Sequence, residues 1–337
     1  MQTSAFGARV RQWPVALMVC AGLAVSACGS SAGSGSGAGT ASVAYAASLA
    51  NLNEKVVGPS FAKAASHSYV GRAGPSLGLS QEIAAHEISP NVFESIGGKP
   101  IEALEPRFTK WYIQFAASQI VVAYNPASSH ASEFKAIASG RKPVSDLFRV
   151  MTSPGFRLGR TDPNIDPQGQ AFIEMLMLAQ AQYHLPPGTV QKIIGGSPSS
   201  ANSATIFDEA ALEPRLQAGQ LDAASAYLPQ AIQLHLPYIA LPASINLGDP
   251  ALASHYATAA FPLSDGTIAA GKPLTVDITT IGTTDLAAAD AFVRFVLSPA
   301  GLALHKRGGY TLLKPTAFGD TAALPASIRR ELGTGGH

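Results

Sequence analysis

The sequence predicts an α/β protein built from two domains. Short apolar runs rich in β-branched residues alternate with longer stretches whose apolar residues recur at helical spacing, the pattern of strands packed between helices. The stretch from Val43 to His337 is long enough for two domains of roughly 100 to 200 residues each. Only 13% of the residues are charged and the formal net charge is +1, so the chain lacks the basic field that nucleic-acid binding requires.

At the start of the chain, Arg9 and Arg11 precede an apolar run from Val15 to Val25 that closes on Ser26 and Ala27. That order reads as a signal peptide, because the run is about half of the roughly 20 residues that a membrane-spanning helix needs. Val25-Ser26-Ala27-Cys28 resembles the lipobox of bacterial lipoproteins, whose cysteine is lipidated and becomes the mature N-terminus. Residues 1–28 are therefore assigned to signal peptide and lipobox, with Cys28 the expected lipid anchor; an ordinary secretory peptide with an incidental cysteine is the alternative. Residues 29–42, nearly all Gly, Ser, Ala and Thr, read as a flexible linker. Cys20 leaves with the peptide, so a disulfide within the mature chain is not expected. No later apolar stretch reaches spanning length.

Val43 to Ala47 reads as a short buried strand that stops at Ser48, followed by a helix carrying Leu49, Leu52, Val56 and Val57. Gly71 to Leu79 is a turn-rich stretch containing Ser76, and Gln81 to Ile88 continues as a helix. Ile120 to Tyr124 is a strong strand signal ended by Asn125-Pro126, and Val144 to Met151 a helix. Gly159 to Gly169, dense in Asp, Pro, Asn and Gly, is a loop; Phe172, Leu176, Ala179 and Tyr183 then recur at helical spacing up to Pro186. Such a loop feeding a helix start is a natural anion site. Pro198 to Thr205 is a second polar loop, and Ile206 to Ala218 a helix broken or begun near Pro214. Ala223 to Tyr227, Tyr238 to Leu241 and Leu274 to Ile281 are expected strands, and Leu286 to Leu297 an amphipathic helix.

Several of these segments resemble the extracellular molybdate/tungstate-binding proteins, the receptors of oxyanion ABC importers. Gly159-Arg160-Thr161-Asp162-Pro163-Asn164-Ile165-Asp166-Pro167-Gln168-Gly169 looks like the family's G-x-S/T-x-P-N-x-D-P-x-G loop. Ser48 matches the family's first A-A/G-S-L loop, and Ser76 falls at the second ligand-binding serine. Leu216 to Asp222, then Tyr227, resembles L-x-x-G-E-L-D-x-x-x-x-Y, and Gly271-Lys272-Pro273 and Phe292 to Pro315 resemble the closing segments. The likeness spans most of the chain after the linker and is weak between Val92 and Lys110. It implies a two-lobed, type II periplasmic-binding-protein-like fold with the ligand clamped between lobes, so that 43–118 and 240–337 make lobe 1 and 119–239 make lobe 2.

The resemblance implies a ligand set of Ser48, Ser76, Asp166, Gln168 through its backbone N–H, Glu209 and Tyr227, with Asp166 and Glu209 bound to the molybdenum or tungsten of the oxyanion itself. Neutral donors at helix starts can hold an oxyanion. A carboxylate beside a dianion is repulsive unless it binds the central atom, which large d⁰ metals permit and sulfur does not, so an acidic pair would penalise sulfate. Glu209 lies eighteen residues before Tyr227, the family's glutamate-to-tyrosine spacing. Read without the family, Ser48 and Ser76 are helix caps, Asp166 an Asx turn, Glu209 a solvated helix residue and Tyr227 a buried strand tyrosine. Asp162, Asp208 and Glu213 compete for the acidic roles. Gln168 and Gln170 replace the usual Cys and Tyr, Gln220 a common glutamate, and Pro75 precedes Ser76, so pocket size and ligand preference are open to drift.

An enzyme is the rival class, but the sequence has no G-x-S-x-G elbow, no H-E-x-x-H or paired-cysteine metal spacing and no Walker loop, and its eight histidines are scattered. A second rival keeps the fold and changes the cargo to phosphate, sulfate or a small carboxylate. A third is a lipoprotein that presents a surface to partner proteins. The expectation is a monomer without cofactor, exported and lipid-anchored at the outer face of the cell membrane. It would capture tungstate or molybdate and hand it to an ABC permease.

Overall fold

A computed structural model describes residues 39–198, 200 and 203–334; the expected signal peptide, Cys28 and residues 29–38 of the expected linker lie outside them. Twelve strands are present among the described residues: β1 (Thr40–Ala46), β2 (Ser68–Gly74), β3 (Val92–Ile96), β4 (Trp111–Ala117), β5 (Ile120–Tyr124), β6 (Leu158–Gly159), β7 (Ala223–Tyr227), β8 (Tyr238–Ile239), β9 (Ala260–Pro262), β10 (Ile268–Ala270), β11 (Thr275–Thr280) and β12 (Thr311–Gly319). They form a six-stranded sheet of order β12-β4-β11-β3-β1-β2, a four-stranded sheet of order β6-β7-β5-β8, and the hairpin β9-β10. Both larger sheets are mixed: β1 runs parallel to β2 and β3 while β11 is antiparallel to β3 and β4, and β6 runs parallel to β7 while β5 is antiparallel to β7 and β8.

The chain changes sheet between Ala117 and Ile120, with only Ser118 and Gln119 intervening, and returns to the first sheet after Ile239. Strand β5 is apolar at every position and wholly buried, as a strand covered on both faces must be. The core runs through both sheets, from Tyr45, Phe61, Phe115 and Phe292 to Phe134, Phe148 and Phe172.

Three local expectations change. The first strand begins at Thr40, not Val43: Thr40 to Ser42 have linker-like side chains, but their backbone pairs with Ser68 to Val70 and the Ser42 N–H donates to Asn91 Oδ1 at 2.9 Å. The turn-rich stretch from Gly71 splits into the end of edge strand β2 and a helix, Ser76–Ala84, that starts directly after Pro75. Gly71 sits where a Cβ would collide with the Glu54 carboxylate and the Tyr45 ring, so here glycine marks close packing inside a strand. The helix expected over 206–218 begins at Glu209, because Asp208 is extended (φ −60°, ψ 143°) and Ile206 is bridged to Arg160. It carries Pro214 in its interior. Among the described residues, no single helix is long and apolar enough to cross a membrane.

Candidate oxyanion site

The loop after β6 is shaped by its own polar side chains. Asp162 Oδ1 accepts from the Asn164 N–H (2.9 Å) and Nδ2 (2.7 Å), and the Asp162 carbonyl accepts from the Asp166 N–H (2.9 Å). Asp162 thus closes the loop and Asp166 is carried to its end. There Asp166 caps the helix Pro167–Gln182: its Oδ1 accepts from the Gln168 N–H at 2.8 Å, the preferred arrangement of an N-cap aspartate. Its Oδ2 is buried with no hydrogen-bond partner, and the Thr161 hydroxyl lies close by without completing a bond to it. Burial pushes Asp166 up to about 6, with the Gln168 N–H and Thr161 pulling the other way.

Glu209 opens the helix Glu209–Gln217 and is buried. Its Oε1 accepts from Gln230 Nε2 at 2.8 Å and Gln168 Nε2 at 3.1 Å. Burial raises it well above the carboxylate range, and the nearby charges of Asp166 and Glu213 raise it further. Asp166 and Glu209 both line a cavity of about 330 Å³ together with Pro75 and Thr161. Glu209 also lines a second cavity of about 320 Å³ with Ser48, Gln230 and Glu213. It stands between the two, and competition from Glu213 is real on the second.

The remaining expected residues divide. Ser48 is buried at the turn from β1 into helical backbone, its Oγ without a partner. Ser76, also buried, accepts the Ile96 N–H on its Oγ at 3.2 Å and lines neither cavity. Tyr227, at the end of β7, is fully enclosed with an unpartnered hydroxyl, which burial and the charges of Asp166 and Glu209 push well above its ordinary range. The Gln168 backbone N–H donates to Asp166, and its side chain bonds on the Glu209 side: Nε2 donates to Glu209 and Gln230, and Oε1 accepts from the Ser225 hydroxyl at 2.7 Å. Asp208 makes no cap bond.

Gln230, Ser225 and Arg160 are buried polar residues bonded to or next to these side chains that the sequence alone did not single out. Gln230 also accepts the Tyr227 N–H at 3.0 Å, tying tyrosine, glutamine pair and glutamate into one network. Arg160 is fully buried; its Nε donates to Thr205 Oγ1 (3.1 Å) and its Nη1 to the Thr161 carbonyl (3.2 Å), while Nη2 has no partner, and burial lowers it to about 10. Arg160 stood in the motif itself, but nothing in the motif marks it as buried. The two sheets' sides meet at this site, where the Gly78 N–H donates to the Ile165 carbonyl at 3.1 Å; on the six-stranded side, the Tyr310 hydroxyl approaches the Ser48 carbonyl at 3.5 Å.

A mixed α/β chain that passes from one sheet to a second and back, with orphaned polar groups buried where their loops meet, is a two-lobed binding protein of type II. Residues 41–311 match the model of the bacterial extracellular solute-binding proteins, and the chain belongs to that family, a family of transport receptors rather than enzymes. A Haloferax volcanii protein named "Putative ABC transporter molybdenum-binding protein" is 34% identical over 217 residues, 64% of this chain and 65% of that one. The molybdate/tungstate-binding protein WtpA of Thermococcus kodakarensis is 27% identical over 240 residues, 65% of each chain. The matched stretch thus spans just under two thirds of these relatives' lengths. The periplasmic molybdate-binding protein of Azotobacter vinelandii superposes with a TM-score of 0.55 at 20% identity, covering 81% of this chain and 99% of that one, which establishes a shared fold.

Proposed function

We propose that the protein captures tungstate or molybdate outside the membrane and delivers it to an ABC permease, binding without catalysis and without a cofactor. The observation that carries this reading is the pair Asp166 and Glu209, two buried carboxylates on one cavity. Once ionised, two such groups repel any anion that offers only oxygens, whereas an expandable d⁰ metal centre accepts the carboxylates as ligands, displaces the protons that burial holds on them, and turns the repulsion into bonds. The amide donors on Glu209 Oε1 orient it, and the free hydroxyls of Ser48 and Tyr227 are suited to oxyanion oxygens. The names of the relatives point to the same cargo.

Within this reading, 43–118 with 240–337 and 119–239 are the two lobes that close on the anion, the protein works as a monomer, and Cys28 carries the lipid that keeps it at the outer membrane face. Binding energy drives closure. The test is titration calorimetry of the full-length protein with tungstate, molybdate, sulfate and phosphate in turn. Tight one-site binding of tungstate or molybdate with sulfate silent supports the reading; heat from sulfate or phosphate alone, or from none of the four, ends it.

A further inference from the structure

The helix that Asp166 caps presents a different face to a separate and larger space. Pro167, Gln170 and Glu174 recur at helical spacing, away from the direction of Gln168, and line a cavity of about 610 Å³. Its other walls come from the six-stranded sheet, the helices after β2 and β3 and the segment after β10, including Lys99, Gln114 and Lys272, with an apolar side of Leu77, Ile96 and Leu274. This is nearly twice the volume of either cavity at the carboxylate pair and falls in the range that holds small organic molecules.

Glu174 is buried, 4% exposed, and has no hydrogen bond or ion pair among the described residues. Lys272 and Lys99 are near enough for their charges to act on it, yet neither is paired with it or with any other acid there. Glu102, the other acid on the wall, accepts from the Tyr112 hydroxyl at 2.9 Å. The cavity therefore offers two uncommitted cations at its exposed edge, a carboxyl at depth and amides between, around an apolar wall.

We propose that this cavity is a second ligand site that takes a small organic dicarboxylate, one end received by Lys99 and Lys272, the other by the Glu174 carboxyl with the Gln114 amide alongside; the Gln170 amide donates to the Pro163 carbonyl at 2.8 Å and only lines the wall. Burial pushes Glu174 up to about 8, Lys272 and then Lys99 opposing, so below that pH its O–H donates to the ligand instead of repelling it. The titratable groups that face it are Lys272, Lys99, Glu102 and Tyr112, with Tyr227 on the strand side; both tyrosines are pushed up by burial, so loss of binding across pH 8 reports Glu174. An occupant would touch both sheets' sides of the molecule and favour the closed arrangement. The inference stands whether or not the oxyanion reading does.

The experiment is calorimetry of the full-length protein with succinate at pH 6.5 and pH 9. One saturable site is expected at pH 6.5, at least tenfold weaker at pH 9. Lys272→Met and Lys99→Met, both at exposed positions, each weaken it at least tenfold. Glu174→Gln, which keeps a donor that does not titrate, abolishes the pH dependence, and saturating tungstate leaves succinate bound. No saturable succinate binding at pH 6.5, binding indifferent to both lysine substitutions, or one-for-one displacement by tungstate overturns the proposal.

Discussion

The two oxygens of the Asp166 carboxylate differ: Oδ1 caps a helix and Oδ2 is buried without a partner, the oxygen that the proposed function gives to the ligand. The two tasks separate by substitution. Asp166→Asn keeps a good cap and removes a buried charge, so thermal melting at neutral pH should show it at least as stable as the parent. Its tungstate affinity should nevertheless fall by about 100-fold, roughly 2.7 kcal/mol, in calorimetry. The serines make a second contrast. Ser48→Ala removes a hydroxyl that bonds to nothing in the protein and should leave the melting temperature within a degree or two while weakening the oxyanion about tenfold; Ser76→Ala strips the Ile96 N–H of its acceptor and should destabilise by about 1–2 kcal/mol in urea unfolding. Equal stability losses for the two would contradict their assignment.

At the level of elements, the helix Pro167–Gln182 organises both the acidic pair and the larger cavity, and its seating against the preceding loop depends on Gly169. A Cβ there would lie 2.6 Å from the Thr161 carbonyl oxygen and 2.8 Å from the Pro163 nitrogen, both backbone atoms that cannot swing aside. Gly169→Ala is expected to cost about 1–3 kcal/mol, read from denaturant midpoints, and to weaken oxyanion binding along with it because Asp166 moves with the loop. An alanine variant as stable as the parent would show that the loop yields, contrary to the packing seen here. This constraint also explains why the P-x-G end of the loop motif was legible as a motif: glycine and proline announce backbone requirements in the sequence itself.

Across the whole molecule, several buried carboxylates are held above the ordinary range by burial: Glu94 at about 7, with Asn53 opposing; Asp277 at about 7; and Glu174 at about 8. In each case the folded protein keeps a proton that the unfolded chain has released. Their contribution is complete below the unfolded value and is lost as pH rises through the folded one, at up to about 1.4 kcal/mol per pH unit for each group. His305 acts oppositely: burial lowers it to about 4, so stability is lost as pH falls from about 6.5 toward 4. Three groups outweigh one. The melting temperature of the ligand-free protein should rise as pH is lowered from about 8 to about 5, and Glu94→Gln should flatten that rise; a melting temperature that falls steadily over this interval would refute the account.

Much of the architecture followed from the chain alone. Period and punctuation located β5, β7 and the helix Leu286–Leu297 to the residue, because apolar runs and Asn-Pro or Gly breaks act locally. The loop motif nominated Asp166 and, with the tyrosine spacing, Glu209. What the chain could not reveal rests on partners distant in sequence. Thr40 to Ser42 become strand through backbone pairing that their side chains do not advertise. Gln230 bonds to Glu209 only because the strand end at Tyr227 and the helix start at Glu209 meet in space, and the Gln168 side chain reaches Glu209 across the same gap while its N–H donates to Asp166. Local preferences are written in residue order; which buried oxygen is satisfied and which is left free is decided by the packing of both sheets together.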